Sequence, residues 1–116
     1  MKDAQALEFF TNIQARTEAG KVPWQPTADE NEYVASVGGE FSLGMTRLKF
    51  LDAFRREAVL HKLTMKDKEN RRLITADENV EGISEEQMRA FFVMVERQAL
   101  GVGEKLGRLL DQLDRA

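Results

Sequence analysis

His61 is the only histidine in a chain of 116 residues that has no cysteine. An imidazole acting as general acid or base needs a carboxylate to orient it, and the sequence alone fixes none beside it. Val59, Leu63 and Met65 share its alternation, which places His61 on the packed face of a strand as a hydrogen-bonded core residue. The segment Asp77-Glu78-Asn79-Val80-Glu81-Gly82-Ile83 offers oxygens at the first, third and fifth positions of a calcium loop and glycine at the sixth. The twelfth position of such a loop is a bidentate glutamate; here it is Met88, and a strand rather than a helix precedes. The segment therefore reads as an acidic loop feeding Glu85 and Glu86 into a helix N-terminus, where the helix dipole favours negative charge. Gly101, Gly103 and Gly107 follow a helix, whereas phosphate-cradling glycines follow a strand. Neither metal nor cofactor is expected, and with no nucleophile motif the chain reads as a non-enzyme.

Charge is the next feature. The formal net charge is −3, but it is unevenly placed. Residues 1–40 sum to −4, residues 41–75 to +5 and residues 76–116 to −4. The basic middle holds Arg47, Lys49, Arg55, Arg56, Arg71 and Arg72, with Lys62, Lys66 and Lys68 between them and Phe50 and Phe54 interleaved. Cationic grooves with aromatic platforms hold single-stranded nucleic acids. Basic residues on strands also guard sheet edges against pairing with other chains, and a pI near 5.3 is low for a nucleic-acid domain. An acidic protein surface is the first expectation for the partner of this region, and nucleic acid the alternative. The alternative requires the six residues to converge on one surface.

A third feature is apolar. Val102, Leu106, Leu109, Leu110 and Leu113 fall on one face of a C-terminal helix. Each would contribute roughly 1.5–3 kcal/mol on full burial. Either this face completes the domain core or it pairs with a second chain; the helix before it already has its own stripe for the sheet, so Leu106, Leu109, Leu110 and Leu113 are read as a self-association face of a homodimer.

The elements that carry these residues follow from periodicity. From Asp3 to Ala19, Ala6, Phe10, Ile13 and Thr17 recur at helical spacing. Gly20 suits the left-handed position after the helix, and Pro23 prevents continuation. Trp24 then sits in a proline-bracketed connector as an anchor between helix and sheet. From Glu32 the period is two: Tyr33, Ala35 and Val37, a Gly38-Gly39 turn, then Phe41, Leu43 and Met45. The apolar positions then shift to Leu48 and Phe50, which a bulge near Thr46 or Arg47 would produce; a helix through Phe50, Phe54 and Ala58 is the other reading. Residues 59–65 and 73–75 form two more strands around a polar loop in which Asn70 accepts left-handed backbone. Ser84 with Gln87 is a capping box, and Met88, Phe91, Phe92, Val95 and Ala99 form the buried stripe of the helix it opens.

The result is a single α+β domain over residues 1–116, with an N-terminal helix, an antiparallel meander of three to four strands, and two C-terminal helices on one face. The N-terminus lacks the apolar run of a secretory signal, and no stretch is long and apolar enough to span a bilayer. Cytoplasmic localisation without membrane contact is expected.

The run Gly20-Lys21-Val22-Pro23-Trp24-Gln25-Pro26-Thr27, followed by Glu32-Tyr33-Val34-Ala35-Ser36, resembles a group of small uncharacterised bacterial α+β proteins. In these a helix, a glycine-lysine-x-x-tryptophan connector and a β-meander lead to a tail similar to Arg97-Gln98-Ala99-Leu100-Gly101-Val102. The resemblance implies fold rather than function. Gly20-Lys21-Val22-Pro23-Trp24 is also similar to the opening of antirestriction-type single-stranded-DNA-binding domains. Those continue to a second tryptophan where this chain has Thr27.

Overall fold

A computed structural model describes residues 2–115. Helix α1 (Lys2–Glu18) buries Ala6, Phe9 and Phe10 and ends in paired backbone hydrogen bonds, Gly20 to Thr17 and Lys21 to Arg16, both 2.9 Å. Gly20 takes the left-handed backbone (φ 70°) that this ending needs. The connector turns Trp24 inward, where its indole N–H donates to Thr17 Oγ1 at 3.1 Å and its ring meets the edge of Phe91.

Five antiparallel strands follow in chain order: β1 (Gln25–Pro26), β2 (Glu32–Val37), β3 (Phe41–Leu51), β4 (Glu57–Asp67) and β5 (Arg72–Asp77). Strand β1 is one more than periodicity shows, because two residues are too few to alternate. Helix α2 (Glu85–Ala99) begins with the expected capping box: Ser84 Oγ accepts from the Gln87 N–H, and Gln87 Oε1 from the Ser84 N–H. Helices α1 and α2 cover one sheet face, enclosing Phe10, Met45, Leu63, Met88, Phe91 and Phe92. Helix α3 (Val102–Asp114) does not join them. It buries none of its residues and starts from Gly101 in left-handed backbone (φ 62°) without a side-chain cap. Of the two C-terminal helices, only α2 therefore lies on the sheet.

The change of apolar positions after Met45 has another cause than a bulge. Strands β3 and β4 stay in register from Phe41–Asp67 to Leu51–Glu57, and the only register shift among the described residues falls between Met65 and Lys66, against β5. Strand β2 stops opposite Thr46 and β5 opposite Lys62. Beyond them β3 and β4 continue as a two-stranded arm, about 17 Å long for five residue pairs. Leu48 and Phe50 lie on the arm's helix-free face, while Arg47 and Lys49 lie on the other. The layer of helices ends there, not the backbone register.

Residues 50–58 are accordingly the arm's tip: strand to Leu51, a turn, and strand again from Glu57. The turn repeats the one between β4 and β5. In each an aspartate (Asp52, Asp67) accepts two backbone N–H groups through Oδ1, and the fourth turn residue is left-handed: Arg55 at φ 60°, Asn70 at φ 65°. Asparagine tolerates that conformation, whereas arginine adopts it at a cost in free energy. Arg55→Gly is expected to raise stability by about 0.5 kcal/mol, seen as a higher midpoint in thermal unfolding; a lower midpoint would show that the Arg55 side chain contributes more than its backbone costs.

Tyr33, the only tyrosine, is buried with its hydroxyl donating to Glu96 Oε2 at 3.2 Å. Burial, and then the Glu96 carboxylate, push its phenol above the ordinary value. Ultraviolet titration should give a midpoint above about 10. The stability held by the neutral phenol is present below that pH and is lost as pH rises through the folded-state value. An ordinary midpoint would place the hydroxyl in water.

Candidate functional site

The surface least like that of a finished monomer is α3. Leu106, Leu109, Leu110 and Leu113 are 50, 51, 51 and 61% exposed. Leu100 and Val102 continue the stripe toward α2, and with Lys105, Leu106 and Leu109 they line an open apolar groove of about 410 Å³. Single exposed leucines are ordinary on protein surfaces, but contiguous apolar patches mark contact sites. The chain's radius of gyration is 16.1 Å, against about 13 Å for a compact chain of this length. The molecule is correspondingly elongated, 56 × 41 × 26 Å along its principal axes.

The six basic residues singled out in the sequence are placed apart. Arg47 lies on the helix side of the arm, its Nε donating to Asn31 Oδ1 at 2.9 Å and its guanidinium 4.6 Å above the Phe92 ring. Lys49 is two residues further out on the same side. Arg55 and Arg56 sit at the arm's tip, where Arg56 pairs with Asp52 at 3.6 Å and approaches the Phe54 ring. Arg71 is at the opposite end of β4, tied to Asp67 at 2.7 Å. The backbone and Arg71 hydrogen bonds to Asp67 hold that carboxyl below its ordinary value. Arg72 pairs across from Lys66 on the uncovered sheet face. The six form no common surface. Lys62, Lys66 and Arg72 do share one, a concave area of about 430 Å³ floored by Gly44 and bordered by Thr46, Leu48 and Glu32.

His61 has the orienting carboxylate that the sequence left open. Its Nδ1 lies 2.8 Å from Glu78 Oε1, and its backbone N–H donates to the same carboxylate at 3.0 and 3.2 Å. The ring packs on Phe92, the ring that also carries Arg47 and touches Tyr33. Glu78 is thus drawn out of its acidic loop into a buried pair. Outward from His61, a cleft of about 540 Å³ is lined by Arg47, Lys49, Glu57, Glu85 and Arg89. Sequence reasoning found His61 but neither Glu78, 17 residues away, nor Arg89, which α2 brings from a distant part of the chain. Leu51 and Phe54 are also exposed at the arm's tip, Phe54 to 77%.

Comparison with protein-family models, with curated proteins and with solved structures finds no match to this chain.

Proposed function

We propose that this protein is a non-catalytic interaction module of the cytoplasm, and that α3 is its contact element, pairing with α3 of a second copy. The observation that carries the reading is the leucine stripe on a helix that buries none of its own residues. Burial against an identical stripe removes apolar area from water on both copies at once, and homo-oligomers with two-fold symmetry are the commonest assemblies of soluble proteins. The Gly101 junction lets α3 leave the line of α2 and reach a neighbour. Arg55 and Arg56, exposed at the tip of the projecting arm, are the basic groups offered to an acidic protein partner. Sedimentation velocity across a concentration series tests the pairing: a shift from monomer to dimer mass is expected, and a monomer at every concentration would overturn it.

A second reading has one observation in its favour, the gathering of Lys62, Lys66 and Arg72 on the uncovered sheet face. Single-stranded nucleic acid laid there would contact these cations and Phe50. Fluorescence anisotropy with labelled oligonucleotides should then show binding that weakens with salt, as counterion release requires. No binding at low salt removes this reading.

A further inference from the structure

We propose that the cleft beside His61 binds a phosphate monoester, with one proton shared between the imidazole and the phosphate group. His61 is 3% exposed. A carboxylate brings no proton of its own at neutral pH, so the 2.8 Å contact with Glu78 fixes the imidazole proton on Nδ1. In the neutral ring Nε2 then carries a lone pair. Glu78 holds Nδ1, which leaves Nε2 as the ring nitrogen available to the cleft that His61 helps to line.

Three cations line the same cleft. Arg47 uses its Nε on Asn31 and keeps its terminal nitrogens for a ligand. Arg89 is steadied by Glu85 at 3.1 Å, and Lys49 projects from the same side of the arm as His61. With Glu57 and Glu85 also lining the cleft, its lining residues sum to only +1 before His61, and the Glu78 carboxylate behind the ring brings the site to zero, which suits a phosphate monoanion rather than a polyanion. The second ionisation of a phosphate ester lies near pH 6. The monoanion donates its remaining proton to the Nε2 lone pair, while its other oxygens accept from Arg47, Lys49 and Arg89. A carboxylate ligand carries no such proton. The volume of about 540 Å³ lies within the range of small-molecule sites.

Because the chain has one histidine, its imidazole resonances report on this site alone. Glycerol 2-phosphate added to the ¹⁵N-labelled full-length protein should move them saturably. Sulfate at equal ionic strength, having no proton to share, should bind at least about tenfold more weakly. Lys49→Ala, a surface change that leaves the core intact, should weaken the ester by at least about tenfold, and Lys66→Ala on the opposite sheet face should leave it unchanged. Equal responses to sulfate and ester, no saturable shift, or a response indifferent to Lys49→Ala would each overturn the proposal.

Discussion

Leu109→Glu is expected to abolish self-association while leaving the fold intact. Leu109 lies mid-stripe, between Leu106 and Leu113 and beside Leu110, and half of its surface already faces water. In a monomer the substitution removes no core contact, so stability should change by no more than about 0.5 kcal/mol. In a dimer it removes a leucine from each copy, worth roughly 1.5–3 kcal/mol apiece on full burial, and puts two carboxylates into an apolar seam. The dissociation constant should rise at least about 100-fold. Sedimentation velocity reads the first consequence and thermal unfolding below the dissociation constant reads the second. If the variant lost its fold at low concentration, α3 would belong to the domain core, contrary to its exposure.

Phe92→Ala is expected to have the largest effect on stability, about 3–5 kcal/mol. Phe92 is buried where the covered sheet meets the free arm. It touches the Tyr33 ring and the His61 ring, both at 5.6 Å between centroids, and lies under the Arg47 guanidinium. A two-stranded ribbon is marginal by itself; these contacts tie the arm's base to α2, and the His61–Glu78 pair ties it to the loop after β5. Truncation therefore opens a cavity and also removes a cation–π contact of about 0.5–1 kcal/mol. Urea denaturation should show the loss in the midpoint. Phe54→Ala, at the exposed tip, serves as comparison and should stay within about 0.5 kcal/mol. Equal losses in the two variants would mean that the arm is held by its tip rather than its base.

The arm also explains why the basic middle divides. Successive residues of a strand point to opposite faces, so Arg47 and Lys49 go to the helix side while Lys62 and Lys66 go to the uncovered side. Arg55 and Arg56 are carried to one end of the β3–β4 hairpin and Arg71 to the other. Nearness in sequence gave these residues one charge block; strand parity and strand length separate them.

What the sequence by itself determined is what short-range physics controls. The α1 ending at Gly20, the Ser84–Gln87 cap, the alternation of β2 and the start of β3, and the leucine stripe of α3 each depend on residues within about two helical turns of one another. The α+β class followed from their order. Only the tertiary structure decided where the layer of helices stops. That endpoint depends on the lengths of β2 and β5 and on the seat of α2, and it turned an apparent bulge into a free arm. It also decided that Glu78 meets His61, because a buried imidazole with an open N–H must take an acceptor from whichever loop passes it, and the acidic loop after β5 is the one that does.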